Sequence, residues 1–186
     1  MAPGASANRD QSQLVAIDVA ATAQGFVVER FDFPYKKAGR RAPDKEQVLL
    51  KAVREEAAGL SARAKIAPDR LVLGGRSMGG RMCSMAVADG LSGLGLALVS
   101  YPLHPPGRPD RLRVAHFDRL TVPCLFVSGT RDAFGTPAEL EKATRAIPGD
   151  VTHIWIDGKD HALRGSDAAV AEAVVSWLEG LTAMAA

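Results

Sequence analysis

The sequence has few of the features that mark a membrane, secreted or metal-binding protein. Its two cysteines, Cys83 and Cys124, cannot build a disulfide framework and lack metal-ligand spacing, which fits a reducing cytoplasm best. No apolar run approaches the ~18 residues of a membrane span, and residues 1–25 lack the basic start and apolar core of a signal peptide. The net charge of +2 gives no reason to expect nucleic acid. We therefore predict a cytoplasmic protein with no membrane or nucleic-acid partner and no metal.

What the sequence does have is an ordinary globular composition, with 47% hydrophobic and 24% charged residues in a chain of 186. This length predicts one domain, residues 1–186, that can bury a sizeable core. The one basic cluster, residues 36–41, has no interleaved aromatic residues, and we interpret it as a solvated loop or as a rim that contacts an anion.

Apolar strands alternate with amphipathic helices along the chain. The pattern predicts strands at 26–31, 70–74, 94–100, 123–128 and 151–156, and helices at 13–24, 44–65, 80–89, 137–147 and 166–181. Such alternation is typical of a mostly parallel sheet covered on both faces, whose site lies beyond the carboxyl ends of the strands. The irregular segment 101–117 follows one of these strands and is expected to form a wall of the site.

A glycine-flanked serine stands between a predicted strand and a predicted helix. Gly75-x-Ser77-x-Gly79 matches the nucleophile elbow, a strained turn that lifts a serine hydroxyl out of the sheet. The glycines are needed because strand and helix pass close together there. The alternative interpretation is a glycine turn with a solvated serine.

An acid and a base follow Ser77 in the chain order that serine hydrolases of this design use. Asp132 comes after the strand at 123–128, and His161 comes after the strand at 151–156. Asp157 and Asp160 are the competing acids, although Asp160 adjoins His161 and is better suited to capping the turn.

The other histidines have simpler interpretations. His153 falls within a strand and is expected to be packed or half-exposed, and His104 lies in the wall segment, where substrate contact is its favoured role. His116 is expected to be a surface residue. For an oxyanion hole, the residue after the serine supplies one backbone amide, Met78, and Ala5 in the loop 3–6 is the candidate for the second.

These motifs together resemble a small, lidless α/β-hydrolase of the dienelactone-hydrolase-like group. The resemblance is greatest to predicted hydrolases related to NSL-complex subunit 3 and testis-expressed protein 30, and it rests on the segments 30–35, 74–81, 101–107, 129–135 and 160–161. It implies a Ser77–Asp132–His161 triad and a three-layer α/β-hydrolase fold. Dienelactone hydrolases proper have cysteine at the position of Ser77, so that specific activity is not implied.

The N-terminal region departs from the family pattern. Relatives have a strand that runs into the oxyanion loop, whereas here the loop 3–6 follows Met1 directly. The missing strand would lie between the strands at 26–31 and 70–74, and its absence would open a gap in hydrogen bonding inside the sheet. An upstream start is the favoured explanation; a partner chain that fills the gap and a compromised fold are the alternatives.

The sequence thus predicts a serine hydrolase, without metal or organic cofactor, that acts on a small-molecule ester or related acyl compound. A catalytically idle interaction module with this fold is the chief alternative, and an acyltransferase or peptidase could use the same residues. Arg76, beside the elbow, is a candidate substrate contact. A weaker prediction is that arginines near the site favour an anionic ester, and the candidates are Arg76, Arg81, Arg108, Arg40 and Arg41.

Overall fold

The structure, a computed structural model, describes residues 1–184, so the last two residues of the predicted domain lie outside it. Over this range four parallel strands form one sheet in the order β1-β2-β3-β4: Val72–Arg76, Gly95–Val99, Cys124–Gly129 and Val151–Ile156. The α-helices α1 to α6 are Ser12–Ala23, Pro34–Lys37, Glu46–Ala64, Met78–Ala88, Pro137–Thr144 and Asp167–Met184. Short 3₁₀ helices occupy Pro68–Arg70 and Phe117–Arg119.

Helices cover both faces of the sheet. Successive side chains of each strand point to opposite sides, so each strand contributes apolar side chains to a core on either face. In β2, Leu96 and Leu98 belong to a core shared with α3 and α4, whereas Ala97 and Val99 belong to a second core shared with α1 and α6. All residues of β2 and β3 are buried, which explains why these strands are almost continuously apolar. The predicted three-layer fold with a parallel sheet is confirmed.

The predicted strand at 26–31 is wrong. This segment is irregular, and among the described residues its backbone is linked to the sheet through Met1: the Met1 ammonium donates to the Glu29 carbonyl at 2.6 Å, and the Phe31 amide donates to the Met1 carbonyl at 3.3 Å. A β-strand needs backbone hydrogen bonds to a neighbouring strand along its length, and within the segment 26–31 Glu29 and Phe31 make such bonds to Met1.

Within residues 1–184 the sheet has no strand before the loop 3–6, as the sequence predicted. On the side of β1 away from β2, one bridging residue contacts it: the Ala2 amide donates to the Gly74 carbonyl at 2.9 Å, and the Arg76 amide donates to the Ala2 carbonyl at 3.0 Å. A mainly apolar cavity of about 150 Å³ lies between the start of β1 and the segment 26–31.

The basic cluster begins on a short helix that the sequence did not predict. Pro34 occupies the first turn of α2, where its missing amide hydrogen costs no hydrogen bond. Lys37 and Arg40 are exposed and pair with Glu56 and Asp44, so this cluster is a solvated surface with local ion pairs. No helix within residues 1–184 is both long and apolar enough to cross a membrane.

Two glycines in helices give opposite predictions for stability. A Cβ on Gly79 would lie 2.2 Å from the Ala2 carbonyl oxygen, whereas one on Gly180 in α6 would meet nothing within 4 Å. We expect Gly79→Ala to lower the free energy of unfolding by about 2–3 kcal/mol, because backbone must move to relieve the overlap. Gly180→Ala is the matched control and should raise it by roughly 0.5–1 kcal/mol. Urea unfolding checks both, and a Gly79→Ala protein as stable as wild type would contradict the close packing of residue 2 on the elbow.

Candidate active site

Ser77 sits in a strained turn between β1 and α4. Its backbone has φ 51° and ψ −117°, a region that L-residues seldom occupy, and its amide donates to the Val99 carbonyl at 2.8 Å. A Cβ on Gly75 would lie 2.3 Å from the Ala2 carbonyl oxygen, and one on Gly80 would lie 2.8 Å from the Gly75 carbonyl oxygen. The glycines therefore allow three backbone segments to meet, as the predicted nucleophile elbow requires.

The Ser77 hydroxyl is hydrogen-bonded to His161, which is hydrogen-bonded in turn to Asp132. Ser77 Oγ lies 2.9 Å from His161 Nε2, and His161 Nδ1 lies 2.8 Å from Asp132 Oδ2 and 3.0 Å from Oδ1. The Asp132 side chain is fully buried, and that of His161 is 18% exposed. With its proton on Nδ1, the imidazole donates to the carboxylate and leaves Nε2 free to accept the serine proton.

The loops after β3 and β4 bring Asp132 and His161 together because the two loops are bonded to each other. The Arg131 amide donates to the Lys159 carbonyl at 2.9 Å, and a Cβ on Gly129 would lie 2.2 Å from that carbonyl oxygen. Only glycine fits at this crossing. Both loops leave the carboxyl edge of the parallel sheet, where the elbow also lies.

The competing acids have other partners. Asp157 accepts a hydrogen bond from the Thr130 hydroxyl at 3.1 Å, and Asp160 accepts one from the Ala162 amide at 2.9 Å, which is the turn-capping role expected of it. The geometry thus places Asp132, of the three candidates, on His161.

His153 and His116 are hydrogen-bonded to residues other than Ser77. His153 stacks between Phe126 and Trp155 in β4, and its Nε2 lies 2.9 Å from the Thr144 hydroxyl. His116 was predicted to be a surface residue, and this is wrong: it is 6% exposed.

His116 lies near the end of the wall segment and is bonded to α4. Its Nε2 lies 2.8 Å from the Ser84 hydroxyl, and burial, together with the Arg81 charge, lowers its pKa to about 4. Sequence periodicity could not show this, because the burying contact comes from a distant helix, α4.

His104, predicted to contact substrate, is buried in the wall segment. Its amide donates to the Phe134 carbonyl at 3.0 Å, and its Nε2 lies 3.6 Å from a Glu139 carboxylate oxygen. Its ring Nδ1 lies 2.9 Å from the Pro105 carbonyl oxygen. Substrate contact by His104 stays a prediction.

The two candidate oxyanion donors are available for hydrogen bonding. Among the described residues, the amides of Met78 and Ala5 have no hydrogen-bond acceptor. The loop that carries Ala5 is held in place by two side chains: the Tyr35 hydroxyl donates to the Ala5 carbonyl at 2.7 Å, and Gln11 Oε1 accepts from the Gly4 amide at 3.1 Å. Their role as an oxyanion hole stays a prediction.

Arg76, immediately before Ser77, reaches the loop that carries His161. Its guanidinium donates to the His161 carbonyl at 2.5 Å, and a Cβ on Gly4 would lie 3.2 Å from it. Burial lowers the pKa of Arg76, and the charges of Asp132 and Asp160 partly oppose this. Arg76 therefore joins the elbow to the His161 loop, and its predicted contact with substrate stays a prediction.

Three other arginines considered for an anionic rim already have carboxylate partners. Arg81 pairs with Glu46 at 2.9 Å, Arg40 with Asp44 at 2.7 Å and Arg108 with Asp110 at 3.7 Å. No group of His, Cys, Asp and Glu suited to a metal occurs in the part of the chain that the structure describes.

Sequence reasoning missed three residues that shape the site: Gln11, Tyr35 and Phe134. Tyr35 and Phe134 lie in segments that carry the family resemblance, which was the available signal, whereas Gln11 has none. Phe134 stacks on the His161 ring with centroids 3.9 Å apart.

Comparison with known families gives one match over nearly the whole chain. The profile of the family described as "Alpha/beta hydrolase domain" matches residues 1–184.

Solved structures share this fold. A putative hydrolase of the alpha/beta superfamily from Xanthomonas campestris pv. campestris is 22% identical, with 96% of each chain covered and a TM-score of 0.71. An alpha-beta serine hydrolase homologue from Coxiella burnetii is 16% identical, with 92% of this chain and 78% of that chain covered and a TM-score of 0.76. A dienelactone hydrolase from Anabaena variabilis is 15% identical, with 96% and 83% covered and a TM-score of 0.74. The likeness to dienelactone hydrolase agrees with the predicted group at the level of the fold.

Proposed function

We propose that this chain, which belongs to the alpha/beta hydrolase family, is a serine hydrolase that cleaves a small carboxylic ester or a related acyl compound. The observation that carries the proposal is the continuous hydrogen-bonded series Ser77–His161–Asp132, with heavy-atom distances of 2.9 and 2.8 Å. A serine hydroxyl is a weak nucleophile until a base removes its proton, and a base must be oriented by a third group. This series supplies both.

The reaction follows from the positions of these groups. Ser77 Oγ attacks the acyl carbonyl carbon as its proton moves to His161 Nε2, and buried Asp132 stabilises the imidazolium that results. The protonated His161 then gives the proton to the leaving alcohol as the acyl-enzyme forms. Water, activated by the same imidazole, attacks the acyl-enzyme and releases the acid and free Ser77.

The negative charge that develops on the carbonyl oxygen needs hydrogen-bond donors fixed in advance. The amides of Met78 and Ala5 would supply them, one from the start of α4 and one from the N-terminal loop. A donor at the N-terminus of α4 also benefits from the positive end of the helix dipole.

The alternatives make different predictions. A catalytically idle interaction module does not require an intact Ser–His–Asp series, and this chain has one, which supports the enzyme. An acyltransferase would pass the acyl group to an added alcohol or amine in preference to water, and a peptidase would cleave a matched amide. Product analysis with ester, amide and added acceptor separates these reactions.

Substitution of the proposed base tests the function. On a neutral short-chain aryl ester, we expect Ser77→Ala and His161→Ala each to lower kcat/KM on the order of 10³-fold or more. His153→Ala, the matched control, removes an imidazole outside the series and should lower kcat/KM less than about threefold once folding is checked by circular dichroism. For wild type, kcat/KM should fall as the pH is lowered, because an imidazolium cannot accept the serine proton. Equal losses from His161→Ala and His153→Ala would contradict the assignment.

Arg76 gives a second test, which separates positioning from substrate binding. If its guanidinium holds the His161 loop, Arg76→Met should lower kcat about tenfold or more for neutral and carboxylate-bearing esters alike. If Arg76 binds an anionic substrate, KM should rise for the carboxylate-bearing ester alone. Arg108→Met, which alters an exposed arginine of the wall segment, is the control and should change neither parameter for the neutral ester.

A further inference from the structure

One face of the His161 ring is covered by an aromatic side chain. The rings of Phe134 and His161 are stacked, with centroids 3.9 Å apart and planes inclined by 28°. The two ring edges of the imidazole that carry nitrogen are already engaged by Ser77 and Asp132. Phe134 therefore contacts the face of the His161 imidazole, which the two hydrogen bonds do not constrain.

The Phe134 backbone is fixed by the same groups that build the site. Its amide donates to Asp132 Oδ1 at 2.8 Å, and its carbonyl accepts from the His104 amide at 3.0 Å. The next residue, Gly135, packs so closely on Leu103 that a Cβ there would lie 2.9 Å from the Leu103 Cβ. The Phe134 ring is thus held over His161 by a braced loop rather than by its own packing alone.

The electrostatics of a phenyl ring give this stacking a consequence for catalysis. The ring face carries partial negative charge and attracts a cation placed over it. His161 is neutral while it waits for the serine proton and is a cation once it has accepted that proton. An interaction that strengthens as the charge forms lowers the barrier, whereas one that is equal in both states does not.

We propose that Phe134 is a positioning residue that holds the His161 ring in line with Ser77 and stabilises its imidazolium form as the serine proton is transferred. The proposal rests on the proposed serine hydrolase function, and it adds Phe134 to the nucleophile, base and acid as a fourth residue of the site. It also explains what the His104 amide does: it fixes the carbonyl of Phe134.

Other charged groups face His161 and must stay constant in a test. Asp132 binds Nδ1, the Arg76 guanidinium binds the main-chain carbonyl, and Asp160 precedes His161 and binds the Ala162 amide. Changes confined to the side chain of residue 134 leave all of these in place. The Phe134 amide, which binds Asp132, is also kept.

The experiment compares three replacements of Phe134 in the folded chain: Leu, Tyr and pentafluorophenylalanine, the last introduced by nonsense suppression. Pentafluorophenylalanine keeps the shape of the ring but reverses the charge on its face. With a neutral aryl ester, Phe134→Leu and the fluorinated variant should each lower kcat about fivefold to tenfold with KM nearly unchanged. The acid limb of the kcat/KM profile should move to lower pH in both, because the imidazolium is less favoured. Phe134→Tyr keeps the ring face and should match wild type.

A second readout does not depend on activity. The imidazole C2 proton of His161, assigned by its absence in His161→Gln, is followed by NMR against pH, and its titration midpoint should fall in the fluorinated variant. Phe26→Leu, which removes a half-buried aromatic ring on the cavity beside the first residues of β1, is the matched control and should leave the midpoint and kcat unchanged.

The outcomes are distinct. A fluorinated variant with the wild-type midpoint and kcat overturns the proposal, because the ring would then act by shape alone. If the titration midpoint of His161 moves in the fluorinated variant but the wild-type protein hydrolyses no ester, the Phe134–His161 interaction is supported and the proposed function is overturned. Loss of kcat in Phe134→Leu together with a lower melting temperature and an unmoved pH profile also overturns the proposal, since it shows a purely structural role.

Discussion

The site depends on the close approach of three backbone segments around Ser77. β1, α4 and the N-terminal residues meet where Gly75 and Gly79 have no side chains, and a Cβ on either would overlap the Ala2 carbonyl. This packing holds Ser77 in a backbone conformation that costs about 1–3 kcal/mol elsewhere. The strain is maintained because the surrounding hydrogen bonds over-determine the turn, and it fixes the direction of the hydroxyl toward the imidazole.

The parallel sheet supplies the rest of the geometry. Loops after β3 and β4 leave the same edge as the elbow, and they touch where Gly129 allows the Lys159 carbonyl to approach. Asp132 is then fully buried with its carboxylate satisfied by the Phe134 amide and the His161 ring, so its charge is compensated by hydrogen bonds. Ser77 and His161, 84 positions apart in the chain, thus meet because strand order and strand direction put their loops side by side.

Local signals and chain order predicted much of this arrangement. The elbow glycines, the alternation of strands and helices, and the positions of Asp132 and His161 after their strands all follow from neighbouring residues, and the sheet and the hydrogen-bonded series agree with them. The segment 26–31 has the composition of a strand but lacks a full-length neighbour, so it forms none. His116 is buried by α4, and Phe134 is placed by contacts with residues far along the chain. Such long-range contacts have no periodic signal in the sequence.

The most direct test of the account is the identity of the residue that a serine-hydrolase probe modifies. The folded chain is treated with a fluorophosphonate, digested and analysed by mass spectrometry. We expect one modified peptide, with the phosphonate on Ser77, and no modification in Ser77→Ala, because Ser77 is the one serine within residues 1–184 whose hydroxyl lies at hydrogen-bonding distance from the His161 ring. Modification at Ser84 or Ser128, or no modification of folded protein, would contradict it.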